Sequence, residues 1–131
     1  MTNKTINEVL ALHTWAIVGL SNNPDRAAYA VAALLKSKGH RIVPVHPKGE
    51  SVHGEPGFTS LAAIDFPIEV VDLFVNSSLA GAVVDQAIHI GAKAVWLQLD
   101  VIDEAACDRA DQAGLLTVMD RCPAIEYRGR D

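Results

Sequence analysis

Apolar residues recur along the chain in a repeated frame. In Lys38-Gly39-His40-Arg41-Ile42-Val43, Ile90-Gly91-Ala92-Lys93-Ala94-Val95 and Ala113-Gly114-Leu115-Leu116-Thr117-Val118, a glycine closes a periodic stretch and β-branched or aliphatic residues follow it. Glycine accepts the left-handed conformation that ends a helix, and the residues after it favour extension. The stretches upstream, residues 27–38, 79–90 and 104–113, carry helical spacing, with apolar sets such as Val31, Leu34 and Leu35, or Val83, Val84, Ala87 and Ile88. Asn23 before Pro24, Ser78 before Leu79 and Asp103 before Glu104 are the expected caps, with Pro24 suited to the first helical position.

The segments that these helices feed are near-continuous apolar runs at residues 15–20, 42–45, 70–75, 94–99 and 115–119. Strands apolar on both faces predict an interior parallel sheet covered by helices on each side. The alternation of strand and helix predicts an α/β class, a three-layer, Rossmann-like, doubly wound parallel sheet, with residues 1–131 forming one domain. Residues 47–67 break the rhythm. They are rich in Gly and Pro, with a short strand expected at 51–53 and a short helix at 60–64 in place of a full crossover. Ile6, Val9, Leu10 and Leu12 predict a leading amphipathic helix, whose apolar positions leave a homodimer or another protein partner open.

Composition narrows the function classes. A chain with 50% hydrophobic and 21% charged residues is too apolar to be disordered, and its length suffices for a real core. A net charge of −5 argues against a nucleic-acid partner, since such partners call for a clustered Lys/Arg surplus. No apolar run approaches the roughly 18 to 20 residues that cross a bilayer, and the first residues lack a signal-peptide apolar region, so no membrane partner and a cytoplasmic location are expected. Cys107 and Cys122 form no metal pattern and are expected as reduced thiols.

In a doubly wound sheet a ligand sits beyond the carboxyl ends of the strands, where the topology reverses. The loop Gly19-Leu20-Ser21-Asn22-Asn23-Pro24-Asp25-Arg26 leaves a strand and enters a helix, so its backbone N–H groups can receive a pyrophosphate. Gly19 would permit close approach there and Arg26 add a charge-assisted contact; a plain polar turn with a surface arginine is the alternative. The loop is not GxGxxG. At the end of the second strand stand Pro44, Val45, His46, Pro47 and Lys48, where an NAD site would want an acid. Cations there suit a ribose bearing its own phosphate, as in coenzyme A or NADP; a solvated Lys48 is the other reading. Asn76, Ser77 and Ser78 either contact ligand or cap the next helix. Trp96 and Gln98 share a face of their strand and would line a narrow amide-bearing chain such as pantetheine, unless Trp96 packs in the core. Cys122 would face the ligand crevice, as a reactive thiol if a cation lowers its pKa and as an inert one otherwise. GxSxG, Walker A and HExxH sequences are absent, and no residue set supports catalysis or metal binding.

These segments, from Ala16-Ile17-Val18-Gly19-Leu20-Ser21 with Asn23-Pro24 and Arg26, through Val43-Pro44-Val45-His46-Pro47-Lys48-Gly49 with Gly54, Val71-Asp72 and Gly91-Ala92-Lys93-Ala94-Val95-Trp96-Leu97-Gln98, to Val118-Met119-Asp120-Arg121-Cys122, give the chain its resemblance. It resembles the stand-alone bacterial CoA-binding domain proteins, which look like the N-terminal domain of the succinyl-CoA synthetase α subunit. The resemblance implies coenzyme A or acyl-CoA as ligand, held by Gly19, Ser21, Arg26, Tyr29, the turn from Pro44 to Lys48, and the loop at Asn76. His46 stands where the family often has Asn, so that contact is either kept by an imidazole nitrogen or lost. The synthetase's phosphohistidine belongs to a domain outside this likeness, so its ligase activity is not implied. The function expected is a non-catalytic CoA or acyl-CoA binding protein acting as carrier, sensor or partner subunit. The alternatives are an NADP-type oxidoreductase and a thiol-redox regulator that forms a mixed disulfide with CoA at Cys122.

Overall fold

The computed structural model describes residues 2–130. Five parallel strands, β1 (Thr14–Val18), β2 (Arg41–Val45), β3 (Val70–Leu73), β4 (Ala94–Leu97) and β5 (Leu116–Val118), form one sheet in the order β2-β1-β3-β4-β5. The expected strands are all present; β1 and β2 each begin one residue earlier than expected, and every strand but β2 ends short of its apolar run. Helices α1 (Asn3–Leu10), α2 (Ala27–Ser37) and the short α5 (Pro123–Glu126) cover one face, and α3 (Ser77–His89) and α4 (Glu104–Gln112) cover the other.

The period-two alternation divides each strand between two cores. Trp15, Ile17, Ile42, Val70 and Trp96 pack under α1 and α2, while Ala16, Val43, Val71, Val95 and Leu97 pack under α3 and α4. Of the apolar positions expected on the leading helix, Ile6, Val9 and Leu10 are buried in the first of these layers, and Leu12, just past the end of the helix, is part-buried against it.

The irregular stretch behaves as its composition suggests. After β2 the chain turns, Gly49 N–H donating to the His46 carbonyl, and returns to lie beside the strand it left, with His46 N–H donating to Phe58 O at 3.0 Å and Phe58 N–H to Pro44 O at 2.9 Å. The short strand expected at 51–53 is a single bridge between Val52 and Glu55, and the short helix is a 3-10 turn at Leu61–Ala63. Lys36 clamps this excursion to α2 by an ion pair with Glu55 at 3.0 Å and by donating to the His53 carbonyl.

The caps differ from expectation at two helices. Asn23 does not start α2: its side chain accepts from Asp25 N–H in a local turn, Pro24 precedes the helix, and Arg26 occupies the capping position without a side-chain bond. Asn76, rather than Ser78, stands at the cap of α3, again without a side-chain bond. Asp103 caps α4 as expected, accepting from Ala106 N–H at 3.0 Å. Both α2 and α3 therefore begin with open backbone N–H groups.

Candidate functional site

β1 and β3 are neighbours whose outgoing connections leave to opposite faces of the sheet, β1 to α2 and β3 to α3. Their carboxyl ends therefore part and open a cleft. Its volume is about 1190 Å³. The backbone at its floor leaves no room for a side chain at Gly19: φ is +96°, Gly19 N–H donates to Val45 O at 2.8 Å, and a Cβ would stand 2.2 Å from Phe74 O. Glycine at this point lets the chain pass between the ends of β2 and β3 and turn into the α2 loop.

Of the residues singled out in the sequence, Gly19, Ser21, Arg26, His46, Lys48, Asn76, Gln98 and Cys122 line this one cleft. They come from five segments separated in the chain, one after each strand. Arg26 and Lys48 are exposed and, among the described residues, form no ion pair, so both are free to meet an anion. The uncapped N-termini of α2 and α3 point their open N–H groups and positive dipole ends at the same space. The acids in the lining, Glu50 and Asp100, are exposed.

His46 closes the turn at the end of β2 with its own ring. Its Nδ1 accepts from Lys48 N–H at 3.1 Å, which is how an Asn side chain closes such a turn, and the proton is thereby placed on Nε2 as a donor. The imidazole thus fixes Lys48 beside the cleft.

Tyr29, Pro44, Val45, Pro47 and Trp96 lie outside the cleft. The Tyr29 ring packs on His53 at 4.2 Å, whose Nε2 donates to the Tyr29 carbonyl, so it secures the 47–60 excursion. Pro44 and Val45 are buried strand residues. Trp96 is fully buried beneath the floor, and its indole N–H donates to Arg121 O at 2.9 Å, holding the loop that carries Cys122. The core alternative for Trp96 is the one realised.

The turn Leu99-Asp100-Val101 also lines the cleft, and sequence reasoning did not anticipate it. Asp100 has φ +66°, and its N–H donates to Asp120 Oδ1, itself on a residue with φ +59°. Ser77 Oγ donates to Asp100 O and accepts from Ile102 N–H, tying the start of α3 to this turn. Nothing local in the sequence signals a left-handed Asp at those points. Beneath the floor, Asp72 is fully buried on β3, and the Gln98 amide reaches its Oδ1 at 2.6 Å. Burial pushes its carboxyl up to about 8, against a lowering by the Gln98 bond. Cys122 is half-buried in the cleft wall, whereas Cys107 is buried under the opposite face, with burial and the nearby acids Asp111, Asp103 and Asp108 pushing its thiol up to about 11. Among the described residues no group of acids, histidines and cysteines could hold a metal ion, and no helix is long and apolar enough to cross a membrane.

Residues 13–128 match the model of a family described as CoA binding domain. A Bacillus subtilis (strain 168) protein, YneT, itself uncharacterised, is 32% identical over 112 residues, covering 86% of this chain and 83% of that protein. A hypothetical protein from Pyrococcus horikoshii OT3 superposes with a TM-score of 0.91 at 40% identity, covering 98% of this chain and 92% of its own. The dinucleotide-forming acetyl-coenzyme A synthetase 1 of Ca. Korarchaeum cryptofilum shares the fold over 88% of this chain and 28% of its own, with a TM-score of 0.75 at 17% identity.

Proposed function

The chain belongs to the CoA binding domain family, and on that premise we propose that it binds coenzyme A or an acyl-CoA in the cleft at the β1/β3 crossing and has no catalytic residues of its own. The observation that carries the reading is the convergence of two unpaired cations, Arg26 and Lys48, with the uncapped starts of α2 and α3 on one cleft. Coenzyme A carries a pyrophosphate and a 3′-phosphate at one end and an uncharged amide chain at the other. The phosphates match the open N–H groups and the two cations. The amide chain matches the less charged wall formed by Phe74, Gln98 and Cys122. A carrier, a sensor, or a subunit that leaves chemistry to another chain would each use such a site.

Calorimetry with coenzyme A, dephospho-CoA and NADPH tests this. Coenzyme A binds tightest. Loss of the 3′-phosphate, or of the Lys48 ammonium in Lys48→Ala, weakens binding by roughly ten- to a hundredfold, the scale of one charge-assisted hydrogen bond. Equal affinity for coenzyme A and dephospho-CoA would remove the 3′-phosphate contact, and preferential binding of NADPH would replace the reading with a dinucleotide one.

A second reading rests on the place of Cys122 in the cleft wall. With CoA disulfide as oxidant, the Cys122 thiolate attacks one sulfur, a Cys122–S–S–CoA bond forms, and the other CoA leaves as its thiolate. Intact mass after exposure to CoA disulfide decides it: the adduct appears on the wild type and is absent from Cys122→Ser. An adduct that persists in that variant excludes Cys122.

A further inference from the structure

The sheet holds one buried charge-bearing side chain at its centre. Asp72 has no solvent exposure, Ile17 of β1 and Trp96 of β4 are its register partners, and its Oδ2 has no hydrogen-bond partner. Its one side-chain hydrogen bond among the described residues is with the amide of Gln98, which is 4% exposed and lines the cleft. A half-turn about the last side-chain bond of a glutamine exchanges its oxygen and nitrogen with almost no change in shape, so the hydrogen-bond balance decides which end faces Asp72.

Three arrangements fit the contact. A carboxylate accepting from the Gln98 NH2 leaves a charge in an apolar layer with one oxygen bare, which costs several kcal/mol. A carboxylic acid protonated on Oδ2 leaves the O–H without an acceptor. An acid protonated on Oδ1, donating to Gln98 Oε1, leaves only an uncharged acceptor bare. The 2.6 Å separation also lies within the O–H···O range and just short of the usual N–H···O range.

We propose that Asp72 is a positioning residue that donates to Gln98 Oε1 and so presents the Gln98 NH2 to the cleft, as a donor to an amide or thioester carbonyl of the ligand. This rests on the coenzyme A reading, in which the ligand's pantetheine arm carries such amide carbonyls. The raised carboxyl pKa, about 8, agrees with a neutral Asp72 at pH 7; burial is its cause, working against a lowering by the Gln98 bond. The titratable side chains packed on the same layer are Tyr29, His40, Cys122 and Tyr127, and none of them contributes to that shift.

The experiment measures binding of coenzyme A, acetyl-CoA and adenosine 3′,5′-bisphosphate to the wild type, Gln98→Leu and Asp72→Asn, from about pH 6 to about pH 9. Gln98→Leu loses about tenfold in affinity for coenzyme A and nothing for adenosine 3′,5′-bisphosphate, which has no pantetheine. A loss confined to acetyl-CoA would instead assign the donor to the thioester carbonyl. Asp72→Asn, whose NH2 also donates to Gln98 Oε1, keeps the affinity within about twofold. Relative to this variant, the wild type weakens as pH rises through about 8 and the carboxylate turns the amide over. Unchanged binding in Gln98→Leu, or a wild-type to Asp72→Asn ratio that is flat with pH, overturns the proposal. Failure of the wild type to bind coenzyme A overturns the ligand reading instead. Carboxyl-carbon NMR of the ligand-free protein then judges the pair alone, and an Asp72 that titrates near 4 overturns it.

Discussion

Asp72→Asn keeps the shape of the side chain and removes its titration, so it isolates the linkage between folding and the buried proton. The carboxyl ordinarily titrates near 3.8, and burial raises it to about 8 in the folded chain. Between those values the folded state holds a proton that the unfolded state has released, so stability falls as pH rises, by about 1.4 kcal/mol per pH unit, and levels off above about pH 8. Since pH 7 lies about three pH units above 3.8, the wild type is less stable there by about 4 kcal/mol than a chain without this linkage. Asn also donates to Gln98, and it never ionises. The two proteins should therefore have similar stability near pH 4, with Asp72→Asn ahead by up to about 4 kcal/mol at pH 7. Urea denaturation at a series of pH values reads this directly, as midpoints that diverge with rising pH at unchanged slope. Parallel curves from pH 4 to pH 8 would show that Asp72 is not a buried acid.

Gly19→Ala combines a positive φ with a Cβ 2.2 Å from Phe74 O, and should cost about 3 kcal/mol or more in urea denaturation while abolishing ligand binding; wild-type stability would show the loop relaxes. In the native protein an alkylating reagent should modify Cys122 far faster than the buried Cys107, and coenzyme A should protect Cys122; equal rates would remove it from the cleft wall. His40 is buried, with Nδ1 bonded to Leu12 O and Nε2 to Tyr127 OH, and burial pulls its pKa below 6.5. The folded state thus favours the neutral ring, so stability present above 6.5 is lost as pH falls through the lowered value. His40→Asn should lack that loss, and an acid limb identical in wild type and variant would refute it.

The strands and the three long helices were legible in the sequence because glycine stops and apolar runs are local signals, and the cleft loops followed from them through the rule that ligands sit at carboxyl strand ends. The caps of α2 and α3 were not legible. A Ser or Asn near a helix start is a good cap only when the loop lets its side chain fold back, and here the loops instead carry the chain across the cleft. Tyr29 and Trp96 show a second limit. Trp96 was placed at the ligand by its alternation with Gln98 and Tyr29 by the family resemblance, but the packing of the Arg121 loop puts Trp96 beneath the floor and that of His53 sets Tyr29 against the 47–60 excursion.

The sequence by itself determined the α/β class, the buried parallel sheet, the glycine at the first turn and the cations at the end of the second strand, since these depend on conformational preference and periodicity within a few residues. Only the tertiary structure decided that eight residues from five strand-end segments share one cleft, that His46 closes its turn with Nδ1, and that Asp72 lies unsolvated behind Gln98. Residues 72 and 98 meet because β3 and β4 pair in register, and the desolvation that sets the state of the carboxyl comes from layers folded over it by the rest of the chain.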